Sequence, residues 1–185
     1  NQNELAQESS EIADFWSMLQ GFQTSGKCIE KAHYRIRYMK SFRPLSVKED
    51  IEFKEARPIL YLNTAAVASL FSSRNAGSTS NRSNWSTIMS YLKSHASYLG
   101  LKQDRFTILL PSGLPDYTID IVNGEQVKKV KVNRPKALCF DYLQLKETFG
   151  LDLETEVVAE NQEEIPAESN VINLQQLKQN ELPFE

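Results

Sequence analysis

The feature that most constrains the fold is an Asn-Gly dipeptide, Asn123-Gly124, between two runs of alternating apolar and polar residues. The runs are YTIDIV (117–122) and EQVKKVKV (125–132). A type I′ turn needs a positive φ at both central residues, which Asn and Gly adopt most readily, and its twist matches that of paired strands. We therefore predict an antiparallel β-hairpin with a two-residue turn.

The rest of the chain mixes helical and strand periodicity, which predicts an α+β fold. Gly21 and Gly100 are expected to end the first and the third helix. The predicted helices cover residues 9–20, residues 64–73, and a segment from Ser83 or Asn84 to about Tyr98. The predicted strands are 33–42, 57–63, 105–110 and ALCFDYLQL (137–145), which runs into a short helix, and residues 46–56 are expected to be a charged connector.

The first helix carries one apolar stripe, because Ile12, Phe15, Trp16 and Leu19 fall at helical spacing. Trp16 belongs either to the core or to a docking face, and the core is the more common place for such a residue. Residues 1–26 are interpreted as an N-terminal helix or docking segment, ahead of a domain over residues 27–153.

Charge is distributed unevenly behind a net value of −3. Residues 1–26 carry four acids and no Lys or Arg, whereas residues 27–136 carry 19 Lys or Arg against nine Asp or Glu. Residues 147–185 carry ten acids against one base. A basic body between acidic ends indicates a polyanionic partner, and an ordinary lysine-dotted surface is the alternative.

The C-terminal range is interpreted as an acidic, flexible tail over residues 154–185. It is rich in Gln, Asn and Glu and has few aromatic residues, so it cannot bury enough apolar surface to order itself. A transient helix over VINLQQLKQ (171–179) is one option.

Motifs of common enzyme classes are missing from the sequence. It has no P-loop, no GxGxxG segment after a strand and no GxSxG elbow. Cys28 and His33 come closest to zinc-ligand spacing, but no further Cys or His completes a set. We therefore expect no catalytic function, no cofactor and no metal in this chain. Two distant cysteines and short apolar runs favour a reduced, cytoplasmic protein that does not enter a membrane.

The order of elements resembles a winged helix-turn-helix: a strand, a helix, a polar loop, a second helix and a basic hairpin. In that class the second helix presents its N-terminal end to DNA, and the hairpin wing lies along the backbone. The predicted fold is thus a winged-helix core with an N-terminal amphipathic helix and a disordered acidic tail.

Candidate DNA contacts cluster at the start of the third predicted helix, which is the second helix of the helix-turn-helix. Small hydroxyl and amide side chains, together with free backbone N–H groups at a helix N-terminus, bind phosphate oxygens without steric hindrance. Arg82 and Asn84 are the only residues placed to read base edges, and Trp85 is expected in the core. The predicted contacts are Arg74, Asn81, Arg82, Ser83, Asn84, Ser86 and Thr87, extended by Ser90 and Lys93.

A second basic cluster lies on the hairpin and just after it. Alternation places Lys129 and Lys131 on one face and Lys128 on the other, so Lys129 and Lys131 are the preferred wing contacts. Arg134 and Lys136 complete the cluster, and Arg134 is a further candidate DNA contact. Two alternatives stay open. The lysines could protect an exposed strand edge, and the polar loop could be a simple connector.

Four phrases resemble the region that follows the helicase ATPase module in primase–helicase replication proteins of bacterial mobile elements. They are EIADFW (11–16), ILYLN (59–63), SYLKSHASYLGLKQDRF (90–106) and ALCFDYLQL (137–145), and the resemblance spans roughly residues 10–150. The resemblance implies a place beside a hexameric replicative helicase, with any ATPase or primase activity outside this chain. The hairpin is longer than the family pattern leads us to expect.

The terminal peptide QNELPFE (179–185) has a second resemblance. Its Q-x-x-L-x-F spacing is similar to peptides that bind the groove of a bacterial sliding clamp, and its acidic L-P-F end is similar to the tip of single-stranded-DNA-binding proteins. Gln179, Leu182 and Phe184 would be the anchors. Asn180 and Glu185 depart from the respective patterns.

These patterns favour a DNA-binding accessory domain of a mobile-element replication primase or helicase, which contacts mainly phosphates. The alternative is a protein-interaction module that docks on a replication partner, a sliding clamp or a helicase, without touching nucleic acid. A piece of an enzyme whose active site lies elsewhere is the third interpretation.

Overall fold

The structure is a computed structural model that describes residues 2–75, 84–156 and 171–173. Its helices are α1 (Gln2–Thr24), α2 (Thr64–Asn75), α3 (Trp85–Ser94) and α4 (Tyr142–Phe149). Its strands are β1 (Tyr34–Phe42), β2 (Ile51–Asn63), β3 (Tyr98–Gln103), β4 (Phe106–Thr107), β5 (Tyr117–Val122), β6 (Glu125–Val130), β7 (Val132–Asn133), β8 (Lys136–Asp141) and β9 (Val171–Asn173). The α+β class is confirmed.

The chain divides into two compact units. The first contains residues 1–106 and 134–156, and the second contains residues 107–133 with the C-terminal range, of which β9 is described. The first unit is built on a four-stranded antiparallel sheet in the order β1-β2-β8-β3. The second is built on a sheet in the order β5-β6-β9. Strands β4 and β7 pair with each other.

Strand β8 is a central strand of the first unit and is buried on both faces. Leu138 and Phe140 belong to one hydrophobic cluster, and Ala137 and Cys139 belong to another. Because side chains alternate along a strand, the two clusters lie on opposite faces of the sheet. This explains why the apolar run ALCF has no polar member.

The helices pack on the first of these faces. Trp16 of α1 meets Phe140 edge to face, with ring centroids 5.0 Å apart, and is 1% exposed. Val67 and Phe71 of α2 belong to the same cluster. The prediction that Trp16 is a core residue is confirmed. The apolar side of α1 is therefore occupied by the protein's own core, and a partner docking on α1 would have to use other residues.

The second face is covered by the segment that follows β3. Phe106 is fully buried among Phe42, Ile59 and Tyr61. Asp104, just after β3, accepts two hydrogen bonds from the guanidinium of Arg37 in β1. Strands β1 and β3 are the two opposite edges of the sheet. Residues 104–106 therefore cross this face and tie one edge of the sheet to the other.

The predicted hairpin is confirmed in register. Val122 pairs with Glu125 and Tyr117 with Val130, so the turn has two residues. Asn123 and Gly124 both have a positive φ, 53° and 79°, as a type I′ turn requires. Strand β9 pairs with β6 on the other side. The option of a helix is therefore wrong for Val171–Asn173, and the remaining residues of the predicted tail from 157 onward lie outside the described part.

Helix α1 and strand β2 are longer than predicted. Helix α1 begins at Gln2 and passes through Gly21 to Thr24, because Gly21 is exposed and nothing in the sequence forces a stop there. Strand β2 begins at Ile51, so the predicted charged connector is a strand from that residue onward. In its first half Ile51, Glu52 and Arg57 pair with β1 across an irregularity in register, and most side chains are exposed, so apolar alternation could not reveal it.

Helix α3 ends earlier than predicted, at Ser94, with His95 as its C-cap. Gly100 does not cap it. Gly100 lies in β3, where residues from Tyr98 onward pair with β8. This pairing to a strand far along the chain overrides the local helical pattern. The predicted strand 105–110 is likewise reduced to Phe106–Thr107.

Among the described helices, none combines the length and the apolar character needed to cross a membrane.

Two glycines provide a matched test of this backbone. A Cβ on Gly100 would lie 2.6 Å from Cβ of Pro44, and its φ of 136° is rarely adopted by other residues. Gly21 lies inside α1 with open space around it. We expect Gly100→Ala to lower the free energy of unfolding in urea by about 2–4 kcal/mol, from strain and overpacking. Gly21→Ala should raise it by about 0.5–1 kcal/mol. A Gly100→Ala protein as stable as the wild type would contradict the placement of β3 against Pro44.

Candidate nucleic-acid interface

Helix α3 begins where the sequence predicts, with Asn84 as its N-cap. The Asn84 side-chain oxygen accepts a hydrogen bond from the backbone N–H of Thr87 at 2.9 Å, and the Asn84 backbone is extended. This satisfies one of the N–H groups that a helix start leaves without an intrahelical partner. The cap occupies the side-chain oxygen of Asn84, and the side-chain NH2 group can still donate a hydrogen bond to a ligand.

The two sides of α3 differ sharply. Ile88 and Leu92 are buried in the core. Trp85 contacts Phe15 and Phe71 at ring-centroid distances of 5.9 and 5.7 Å, so it packs against the core as a half-buried residue. The predicted contacts Asn84, Ser86, Ser90 and Lys93 are exposed, and Thr87 is half-buried. The helix therefore fixes a row of polar side chains in solvent.

Electrostatics on this side of α3 favour an anion. The helix contains no acid, its N-terminus carries the positive end of the helix dipole, and Lys93 has no ion pair with any described residue. Glu8 of α1 acts electrostatically on His95, which places this acid near the C-terminal end of α3.

Several predicted contacts lie outside the described residues. Arg74 is in α2, but its side chain is not described. Asn81, Arg82 and Ser83 fall in the segment 76–83 between α2 and α3, and their role stays a prediction. The same holds for the predicted partner-binding residues Gln179, Leu182 and Phe184.

The hairpin lysines have three different environments. Lys128 Nζ lies 4.0 Å from the centroid of the Tyr117 ring, a cation–π contact. Lys129 is half-buried in β6, directly opposite Thr118. Lys131 lies beyond the end of β6, and its Nζ is 3.3 Å from the carboxylate of Asp116. The alternation used to place Lys131 beside Lys129 therefore does not extend to Lys131, and the charge of Lys131 is already paired.

The hairpin is less basic than the rest of the body. Residues 107–133 contain three lysines and three acids, so they carry no net charge. Arg134, two residues before β8, and Lys136, the first residue of β8, are exposed and have no ion pair within the described residues. The positive excess of residues 27–136 therefore comes from outside the hairpin.

The sequence patterns did not single out Arg35, Arg37 and Arg105, which the structure places near one another. Arg37 and Arg105 are among the charges that act on the Arg35 guanidinium. The available signal was the alternation of β1, which puts Arg35 and Arg37 on the face opposite Tyr34 and Ile36. Arg105 could not be added from sequence, because it comes from a segment about seventy residues away.

Cys28 and His33, the pair with the nearest zinc-like spacing, are used differently. Burial raises the pKa of the Cys28 thiol to about 12, so the sulfur is protonated at neutral pH. The Nδ1 atom of His33 accepts the backbone N–H of Ile29 at 3.0 Å. No group of three or more His, Cys, Asp or Glu in the described ranges is arranged to hold a metal ion.

A cavity of about 510 Å³ lies between the end of α1, the start of β1 and residues 154–156. Its polar groups bond to one another. The Glu30 carboxylate accepts bonds from Thr155 Oγ1 and from the Glu156 backbone N–H, both at 2.9 Å, and Lys31 pairs with the Glu156 carboxylate. These bonds hold the segment after α4 against Glu30 and Lys31, just before β1.

No protein-family model, curated protein or solved structure matches the chain.

The buried histidine predicts a pH dependence. Burial lowers the pKa of His33 below its usual value near 6.5, and Nδ1 can accept the Ile29 N–H only when unprotonated. Below about pH 6.5 the unfolded chain therefore binds more protons than the folded chain, and the free energy of unfolding should fall as the pH decreases. Urea unfolding at pH 7.5 and pH 5 measures this fall. His33→Gln should reduce it more than the control His95→Gln, which removes a more exposed ring; equal effects would contradict the role given to His33.

Proposed function

We propose that the chain is a DNA-binding accessory domain that contacts the phosphate backbone through the polar side of α3, from its capped N-terminus to Lys93 in the last turn. The observation that carries this proposal is the orientation of α3. Ile88 and Leu92 hold one side in the core, while Ser86 and Ser90 of the other side are exposed beside the capped N-terminus. Lys93 adds a positive charge along the same helix.

The chemistry of this side suits phosphate oxygens. Hydroxyl groups and backbone N–H groups at a helix start donate hydrogen bonds, and the helix dipole favours a negative charge there. Ser86 and Ser90 are too short to read base edges as Arg or Gln would. We infer that binding is largely independent of base sequence and depends strongly on salt, because each neutralised phosphate releases counterions.

The order of elements supports a winged-helix arrangement as part of the proposal. Strand β2, helices α2 and α3, and the β5–β6 hairpin occur in the order of that class, with β3 and β4 inserted between α3 and the hairpin. In this scheme Lys129 and Arg134 are the wing residues with charge to offer, whereas Lys131 would first have to leave Asp116.

The biological role follows from the sequence resemblance alone. The similar phrases ILYLN and ALCFDYLQL cover the neighbouring central strands β2 and β8, and EIADFW covers the buried stripe of α1. Such phrases support a shared core and a role in replication of a mobile element beside a helicase module.

A protein-interaction module is the second candidate, and one observation favours it. Ile119 and Ile121 of β5 are 65% and 74% exposed on a strand at the edge of its sheet. An apolar strand edge of this kind is suited to contact with another protein.

One substitution separates helix stability from DNA affinity. Ser86→Glu adds a carboxylate to the first turn of α3, where it should stabilise the helix by about 0.3–1 kcal/mol and repel a phosphate. We expect DNA affinity to fall by about tenfold (~1.4 kcal/mol) with an unchanged or raised melting temperature. The measurement is fluorescence anisotropy with a labelled duplex and its matched single strand, at two ionic strengths.

Lys93→Ala and a control complete the design. Removing Lys93 should reduce the slope of log affinity against log salt by about 0.9 for a duplex, the contribution of one phosphate. Lys54→Ala, which alters an exposed lysine in the first half of β2, should leave the slope unchanged. Wild-type affinity in both Ser86→Glu and Lys93→Ala would exclude α3 as the contact and favour the interaction module.

A further inference from the structure

Three arginines lie close together on the second face of the four-stranded sheet, the face opposite the helices. Arg35 and Arg37 are two residues apart in β1, so their side chains leave the same face. Arg35 pairs across the strands with Tyr61, a residue of the second hydrophobic cluster. Arg105 lies on the segment that crosses this face. The three guanidinium groups therefore belong to one side of one unit.

The carboxylate of Asp104, which lies near these arginines, already accepts hydrogen bonds from Arg37 and from the Arg105 backbone. Asp104 is 5% exposed. Its oxygens accept Arg37 Nε at 2.6 Å and Arg37 Nη2 at 2.9 Å, and Oδ1 also accepts the backbone N–H of Arg105 at 2.7 Å. Glu30, whose charge also acts on Arg35, is bonded to Thr155 and Glu156. Neither Arg35 nor Arg105 has an ion pair with a described residue.

Arg35 is the member with a buried nitrogen that has no hydrogen-bond acceptor among the described residues. This nitrogen is Nε, and the side chain as a whole is only half-buried. Burial, together with the like charges of Arg37 and Arg105, lowers the pKa of Arg35. A desolvated cation of this kind costs stability unless it is paired. Arg57 has a similarly buried Nε, but its Nη2 bonds both oxygens of Asp141.

We propose that Arg35, Arg37 and Arg105 form a binding site for a phosphate group. Arg35 and Arg105 donate the hydrogen bonds, and Arg37, held in place by Asp104, adds positive charge. The guanidinium fork matches phosphate oxygens, and the charge of a phosphate compensates the cations that Asp104 leaves unpaired. A phosphodiester in a nucleic-acid strand and the free phosphate of a nucleotide both supply this chemistry.

The site is independent of the proposed α3 contact. Helix α3 packs on the first face of the sheet through Ile88 and Leu92, whereas the arginines lie on the second face. A protein that fails to bind DNA through α3 could still bind phosphate here. Ser86→Glu should accordingly leave this site unaffected.

The test uses the full chain with pyrophosphate as the probe, titrated by calorimetry at constant ionic strength. Wild type should bind, and Arg35→Gln should lose at least about tenfold in affinity (~1.4 kcal/mol). Arg43→Gln is the matched control, because Arg43 is an exposed arginine bonded to Asp50 in the loop between β1 and β2; it should bind as wild type does. Without an added anion, Arg35→Gln should melt at the same or a higher temperature than wild type, because an unpaired buried charge has been removed.

A second arm identifies the source of the phosphate. An oligonucleotide without terminal phosphates offers only phosphodiesters. If Arg35→Gln weakens binding of this oligonucleotide as well as pyrophosphate, the ligand is a nucleic-acid backbone; if only pyrophosphate binding falls, it is a free or nucleotide phosphate. The proposal is overturned if wild type does not bind pyrophosphate, if Arg35→Gln binds it equally well, or if Arg35→Gln melts clearly lower without an anion, since Arg35 would then be a structural residue.

Discussion

The first unit depends on the burial of β8 on both of its faces. Leu138 and Phe140 lie under the helices, and Ala137 and Cys139 lie under the segment that contains Phe106. A strand buried on both faces disfavours polar side chains, because burying them without a partner is costly. The polar side chains of the candidate sites are therefore found on other elements of the first unit. The polar side of α3 lies on the helix side of the sheet and the arginines of β1 on the opposite side, each beside its own hydrophobic cluster.

Contacts on each face of the sheet hold the candidate site on that face in place. Trp85, Ile88 and Leu92 fix the rotation of α3 about its axis, and the Asn84 cap fixes its first turn. On the other face, the bond from Arg37 to Asp104 ties the segment after β3 to β1 and holds the backbone beside Arg105. Donors held in place before a ligand arrives lose less entropy on binding, and this favours phosphate recognition at either site.

Local sequence patterns predicted the elements whose position depends on the residues of the element itself. The hairpin could be placed to the residue, because only residues that tolerate a positive φ suit its turn, and the start of α3 could be placed because Asn84 is a good cap. Features set by distant partners could not be predicted. The end of α3 depends on pairing between β3 and β8, and the arginine cluster depends on Asp104, which is 67 residues from Arg37 in sequence. The charged half of β2 was missed because most of its side chains are exposed, so it shows no apolar alternation.

The central claim is that a nucleic-acid backbone lies against the first turns of α3. Hydrogen–deuterium exchange with and without a saturating duplex or single strand tests it most directly, because it reports where amide groups become protected. We expect exchange to slow over residues 84–90, while the buried stripe of α1 is unchanged. Exchange over residues 84–90 that stays the same at saturating DNA would contradict the account.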